Sequence, residues 1–577
     1  MMTSRSSYLV GKAFRGFLLA SVLTAAASQV GTLVDGLMLS HFINEEAMSA
    51  INISSPVMQT LFAICILIGT GGSMLAGVAM GNHKREEASS LFSIVLTSIA
   101  AIGILIGIFG FIFMDSLVAL LCPDVTLQPY ASKYLEIIVP CAPIYMIMAV
   151  MQIFVTLDGE PKRVTTAVVV CTVVNLTLDY IFIVLCNWSM TGAAIATVVS
   201  YVAALIVMYP HFLQKNALAY VMPRSLEMLP RILSMGLPFG VATMMIAVQL
   251  LGNNTVAIHY LGATGIVTLS VCIYMLQFSM IILTGTLESF QPVAAILKGS
   301  GDNRGVSLVL RKAYSFLAVG LSILAFILIV FPDWIVGFFG INDPTAKAMM
   351  DIALPAFAVN IILQCVVYIL IPVYQIYNHK SLALVISLGQ PLLPLIFFWI
   401  FSVMSTSGAT WVNPWWGFAF GQICVVIVLL PFALTRKGNH LPFILIPRDN
   451  PDILFDISVK PSLEDMMKNL NEADLWLQER GIPEALRVKI ILACEESLGN
   501  VIKHALRNHN KSMIDLRITA SDASLTVLVR DEGKPFNPIE QDPGTGIGLL
   551  LVKKTCDDMK YEYLFRQNIL TLIWNRN

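Results

Sequence analysis

Two groups of residues have types and spacings that could do chemistry. The first stands near the end of the chain. In ACEESLGNVIKHA, at 493–505, Glu496, Asn500 and His504 follow one another at intervals of four, which puts them on one side of a helix. Taken alone, such a stripe is most often a solvated helix face. The D-E-G at 531–533 closes a strand-like run, where Asp531 can accept from a base amino group and Gly533 lets the base approach. GTGIGLLLVKK, at 544–554, is a glycine loop running into a helix. Backbone N–H groups around Gly544, Gly546 and Gly548, with the helix N-terminus, suit phosphate. Each motif is weak by itself. Together, in this order and within about 55 residues, they are a strong signal.

The second group lies in apolar sequence. Asp35 and Asp179 stand inside long apolar runs, with Asn175 one turn before Asp179 on the same face. Charge in hydrocarbon is expensive and marks a working site by default. Two carboxylates with amide and hydroxyl neighbours can hold Na⁺ through hard oxygen ligands, or one of them can carry a proton. The plainer alternative makes Asp179 a hydrogen-bonded packing residue and turns Asp35 to the outer interface. The second half of the apolar region offers Glu288, near the cytoplasmic end of its span, and neutral Gln249.

The elements that must position these groups follow from composition. The chain has 577 residues, 56% hydrophobic and 13% charged, with a mean hydropathy of +0.76. Soluble domains carry roughly 25% charged residues, so this is a membrane protein. Its charge is uneven: 36 Asp, Glu, Lys and Arg residues occupy the first 440 positions and 37 the last 137, which marks a membrane region followed by a soluble domain. The net charge of −1 argues against a general affinity for nucleic acid. Ten cysteines without a C-x-x-C pair read as small buried thiols.

Apolar runs long enough to cross roughly 30 Å of hydrocarbon lie near 15–39, 50–80, 90–114, 131–157, 163–186 and 191–213. A second six lie near 232–252, 265–290, 308–331, 347–373, 381–403 and 412–434. With the N-terminus in the cytoplasm, these twelve spans leave seventeen Lys and Arg residues inside and only Lys133 and Lys347 outside. That asymmetry orients the chain in the plasma membrane and puts the C-terminal domain in the cytoplasm. YLEIIVPCAPIYMI at 134–147 recurs loosely as MMDIALPAFAVNII at 349–362, so the two sets of six look like a repeat. Repeated halves predict a transporter that alternates access between two lobes, 1–220 and 221–437. A linker at 438–452 follows, then a small domain at 453–577. There LFDISV reads as a strand, EDMMKNLNEADLWLQER as a helix ending at Gly481, and Pro483 opens a second helix. MIDLRITA, SLTVLVRDEG and EYLFRQNILTLIWN read as strands, which makes a small α/β sandwich.

VDGLMLSHFINEEAMSAINISSP, LDGEPKRVTTAVVVCTVVNLTLDYIFIV and MTGAAIATVVSYV resemble the multidrug and toxic compound extrusion (MATE) family. ILSMGLPFGV and LESFQPVAAILKGSGDNRGV extend the resemblance over roughly 15–435. It implies a twelve-helix, two-lobed antiporter that expels small organic cations or drugs in exchange for Na⁺ or H⁺. The family's first-lobe cation site maps onto Asp35, Asn175, Asp179 and Thr197. SHFI at 40–43 departs from the family's frequent G-H-L-G, and carboxylates that some relatives carry in spans 7 and 10 are missing. That concentrates coupling in the first lobe. Gln152 lies more than a turn closer to the cytoplasm than Asn175 and is left out of the site.

The stripe, D-x-G and glycine loop resemble the N, G1 and G2 boxes of the GHKL ATP-binding superfamily, and GIPEALRVKIILACEESLGNVIKHA is most similar to its anti-sigma-factor serine kinases. This resemblance implies that Asn500 binds Mg²⁺ bridging the phosphates of ATP, and that Asp531 and Gly533 take the adenine. Gly544, Gly546 and Gly548 would form the phosphate lid, with Glu496 as general base. Thr545 stands where these kinases often have arginine. Two functions compete. One is an ion-coupled exporter regulated by an ATP-binding domain; the other is a membrane sensor kinase with a transporter-like detector and an anti-sigma-factor-antagonist-like partner. No G-x-x-x-x-G-K-[ST] loop occurs, which speaks against an ATP-driven pump.

Overall fold

With no water in a bilayer core, the backbone must satisfy its own hydrogen bonds, and helices do so locally. The computed structural model describes residues 8–42, 45–121, 128–214, 218–223, 225–339, 341, 343–409, 411–435, 445–447, 453–505, 512–540 and 547–576. Most of the linker at 438–452 lies outside these. The first half holds α1 (Tyr8–Phe42), α2 (Glu45–Gly81), α3 (Arg85–Ile112) and the short α4 (Met114–Leu121). α5 (Gln128–Ile138) and α6 (Ala142–Leu157) meet at a bend of 61°, with Pro140 in the break. α7 (Pro161–Asp179) passes through a π-helical turn, Tyr180–Leu185, before α8 (Ser189–Met208). The second half holds α9 (Leu229–Val256), α10 (Gly262–Gly299), α11 (Asn303–Val330) and α12 (Pro332–Phe338). It closes with α13 (Pro344–Tyr368), α14 (Leu370–Ile376), α15 (Lys380–Thr406) and α16 (Trp416–Thr435).

The apolar runs of the sequence fall on these helices. Among the described residues, nine helical runs are long and apolar enough to cross a membrane, or ten if α5 and α6 form one span. One of the nine is the 71-residue run Leu229–Gly299, which Gly262 interrupts with φ +68°. Glycine sets how closely some helices approach. A Cβ on Gly236 of α9 would overlap the Leu67 carbonyl of α2, and one on Gly71 of α2 would overlap the Ile232 carbonyl of α9. The two backbones touch there with no side chain between them, as small residues allow.

The chain forms two compact units, one of Phe17–Gly299 with Leu310–Ile446, the other of Met1–Gly16, Ser300–Val309 and Pro447–Asn577. In the latter, β1 (Leu454–Val459) leads to α17 (Leu463–Glu479) and α18 (Glu484–Asn500). Ser462 caps α17 by accepting from Asp465 N at 3.2 Å, and Gly481, at φ +67°, turns the chain toward α18. β2 (Ile514–Ala520), β3 (Ser524–Asp531), α19 (Ile547–Thr555), β4 (Asp558–Leu564) and β5 (Gln567–Asn575) follow. The strands form one antiparallel sheet in the order β1-β2-β3-β5-β4. Residues 562–575, expected as one strand, instead turn back at Phe565 and Arg566. Their φ values of +56° and +59° suit a two-residue hairpin, with Leu564 paired to Gln567.

One sheet face carries the core. Ile457, Leu516, Val527, Val529 and Leu572 pack against Leu470, Ile490, Leu498 and Val552 of the helices. The other face is polar yet covered by this unit's own outlying segments. Asp302 is buried there, with Oδ1 3.1 Å from Arg517 Nη1 and Oδ2 3.5 Å from Arg530 Nη1. The same carboxylate caps α11, accepting from Gly305 N at 2.7 Å. Arg304 Nη1 lies 3.8 Å from Asp456 Oδ2. From α1, Lys12 pairs with Glu532, Tyr8 donates to Glu532 at 3.5 Å, and the Leu9 carbonyl accepts from Gln567 Nε2 at 2.9 Å.

Candidate nucleotide and cation sites

A cavity of about 510 Å³ opens in the C-terminal domain between α18, α19, the ends of β3 and β5 and the 534–538 segment. Helical spacing brings the stripe to one wall. Glu496, Ser497 and Asn500 come from α18, while Val501 and His504 come from the π-helical turn Val501–Ala505 that extends it. The neighbouring carboxylate of Glu495, which could also be considered as a base, is exposed and does not line the cavity.

Asp531 enters from the opposite wall at the end of β3 and is buried. Its Oδ1 accepts from Gly533 N at 2.7 Å and from Asn568 Nδ2 at 2.9 Å. Both bonds fall on one oxygen, which among the described residues leaves Oδ2 for a ligand donor. Burial raises its pKa above the usual carboxylate value; the Asn568 and Gly533 N–H groups oppose that rise, and neighbouring Glu532 adds to it. Asn568 is the residue that sequence reasoning misses. Its Nδ2 also donates to the Lys534 carbonyl at 3.2 Å, and its Oδ1 accepts from Tyr561 OH at 2.7 Å and Phe536 N at 3.2 Å. Burial pushes Tyr561 up to about 12, so it stays a donor at neutral pH.

Gly548 stands in the first turn of α19, where a Cβ would overlap the Glu496 carboxylate. The missing side chain at that position lets the Glu496 carboxylate lie directly against the helix carrying the glycine motif. Gly544 and Gly546, and Thr545 between them, lie outside the described residues. Val529, Leu549, Val552, Leu570 and Phe536 give the cavity apolar walls fit for a flat base. Ser497 Oγ is buried on the wall with no hydrogen-bond partner among the described residues. An orphaned hydroxyl beside Glu496 and Asn500, and one open carboxylate oxygen opposite, are the polar complement a nucleotide needs.

In the helical bundle, Asp179 ends α7 and is fully buried. Asn175 is one turn earlier, and its Nδ2 is buried with no acceptor among the described residues. Thr197 stands on the neighbouring α8 and donates to the Ala193 carbonyl at 2.9 Å, which leaves its oxygen able to accept. The side chain of Asp35 lies outside the described residues, but its helix level can be placed. Thr24 of α1 meets Thr165 of α7 at 2.9 Å, and Gly31 of α1 faces the Thr172 side chain. Both pairs are 141 residues apart, so the helices run parallel in register and Asp35 stands level with Leu176, between Asn175 and Asp179. A second cavity, of about 210 Å³, lies between helices of both halves and is lined by Gln152, Glu288, Gln291, Thr70, Thr243 and Tyr368 among others. Gln152, set aside on the sequence, lines this cavity together with Glu288.

The MatE family model matches residues 20–181, and the histidine kinase-like ATPase domain model matches residues 459–574. The chain is 21% identical over 407 residues to the multidrug export protein MepA of Staphylococcus haemolyticus (strain JCSC1435), covering 69% of this chain and 89% of that protein. It is 24% identical over 277 residues to MepA of Staphylococcus aureus (strain MRSA252), covering 46% and 61%. Among solved structures, an outward-facing multidrug resistance MATE family transporter of the MOP superfamily aligns with a TM-score of 0.65 at 21% identity, covering 74% of this chain and 97% of its own. MATE in the bent conformation aligns at 0.66 and 20%, covering 74% and 96%.

Proposed function

We propose that this chain, which joins a MATE-type helical transporter fold to a C-terminal histidine kinase-like ATPase domain, exports small organic cations in exchange for Na⁺ or H⁺ and binds Mg-ATP on its cytoplasmic side. In this reading it crosses the plasma membrane twelve times, with Leu229–Gly299 divided at Gly262 and α16 as the last span. The observation that carries it is Asp179, a fully buried carboxylate in a bundle of apolar helices, with Asn175 and Thr197 on the same and the adjacent helix. A cation entering among these oxygens offsets the cost of burying the charge, and exchange of that cation drives the cycle.

In the C-terminal domain, Asp531 accepts from the adenine amino group through Oδ2, and the apolar walls hold the ring. Asn500 would hold Mg²⁺, which when bound supplies neutralisation of the phosphate charge. Glu496 takes the proton from an attacking hydroxyl, of water or of a serine on an anti-sigma-factor-antagonist-like partner. The position of Glu496 on the cavity wall favours keeping this kinase activity beside a regulatory one.

The test is efflux of fluorescent ethidium from proteoliposomes, with Na⁺ and pH gradients varied separately and ATP present on the domain's side. Efflux should follow one gradient and stop when both are collapsed. Uphill transport on ATP alone would overturn the antiport reading.

A further inference from the structure

We propose that the outer face of the C-terminal sheet is an interaction surface whose partner is the chain's own residues 8–16 and 300–309, and that nucleotide and transported cation sense one another through it. This rests on the reading of the preceding subsection. Consecutive strand residues point to opposite faces. Asp531 lines the nucleotide cavity, while its neighbours Arg530 and Glu532 lie on the other side. Both neighbours are anchored. Glu532 takes Lys12, Tyr8 and Ser512, and Arg530 shares the Asp302 carboxylate with Arg517. A ligand that repositions Asp531 therefore pulls on two struts at once.

Each strut begins a long helix. Lys12 belongs to α1 (Tyr8–Phe42), the helix whose sequence also carries Asp35. Asp302 caps the first turn of α11. Its charge is buried against two arginines that are themselves nearly inaccessible, so the contact has no cheap intermediate between made and broken. Such an all-or-none contact is the two-state element that coupling requires.

Coupling of binding is reciprocal, which gives the test. ATP affinity of the full chain in lipid nanodiscs is measured with and without saturating ethidium, and ethidium affinity with and without ATP. The wild type should show the same shift both ways, about fivefold or more, and Lys12→Glu or Glu532→Lys alone should reduce it below about twofold. Combining the two substitutions should restore it, because the pair is remade with its charges exchanged. Asp302→Asn should also abolish the shift; if that variant does not fold, the exchanged pair decides. The proposal is overturned if wild-type ATP affinity ignores ethidium while both bind, or if the single variants keep the full shift. Failure of the wild type to bind ATP or ethidium at all would instead bring down the underlying functional reading.

Discussion

Asn568→Ala isolates the support beneath the base-reading carboxylate. The side chain makes four hydrogen bonds: to Asp531 Oδ1 at 2.9 Å, to the Lys534 carbonyl at 3.2 Å, from Tyr561 OH at 2.7 Å and from Phe536 N at 3.2 Å. It therefore fixes both the acceptor for adenine and the loop that walls the ring. A hydrogen bond to an ionised group contributes about 1.5–3 kcal/mol, which corresponds to a loss of ATP affinity of about ten- to 150-fold. The pH dependence moves as well. Ionised Asp531 is the stronger acceptor, so affinity is greatest above its pKa and weakens as pH falls through it. Burial already raises that pKa, and the Asn568 N–H opposes the rise. Without Asn568 the pKa climbs further, and affinity should fade at a higher pH than in the wild type. Calorimetric titration of the full chain with ATP across pH, with thermal unfolding as a folding control, checks both effects. Wild-type affinity with an unmoved pH profile in a folded variant would refute Asp531 as the base reader.

Gly548→Ala places a methyl group where the Glu496 carboxylate lies; that side chain must swing aside, so phosphoryl transfer should fall severalfold or more while thermal unfolding is little changed. Ser497→Ala removes a buried hydroxyl with no partner among the described residues, so unfolding should be unchanged or slightly later while ATP affinity falls by about threefold or more. Asp179→Asn should abolish gradient-driven ethidium efflux with the protein still inserted and ATP affinity retained; efflux at the wild-type rate would remove Asp179 from coupling. Asn500→Ala should erase the Mg²⁺ dependence of ATP binding, whereas Glu496→Gln should spare binding and stop phosphoryl transfer to serine or water, read with radiolabelled ATP.

What the sequence revealed and what it hid divide along physical lines. Membrane helices announce themselves by length and apolarity, and the strand 454–459 and the α18 stripe by their periodicity, so all are legible in one dimension. The β4–β5 hairpin is not, because its left-handed positions hold Phe565 and Arg566 rather than the Asn and Gly that signal such turns. Asn568 is hidden for a related reason: only the strand pairing that this hairpin sets, Asn568 opposite Asp531, brings it to the site. Asp302 reads as one polar residue in a basic loop. Its meaning depends on Arg517 and Arg530, more than 200 residues away, and no local pattern encodes such a pairing. Glu288 and Gln152 belong to different halves, and their meeting at one cavity follows from how the helices pack rather than from either sequence segment.

The glycine crossing of α2 and α9 has a mechanical meaning. Interlocked side chains resist sliding like the teeth of a rack, because every shift must lift them over one another. At Gly71 and Gly236 bare backbones meet instead, so at that point no side chain has to be lifted when one rod turns on the other. The crossing joins a helix of the first half to one of the second, so under the alternating access proposed above it would serve as a fulcrum. Rocking of the halves would turn about it with the least resistance, and a displacement small at the crossing would grow with distance along each rod. A side chain added at either glycine would act as a wedge under the lever and hold the halves on one side of the stroke.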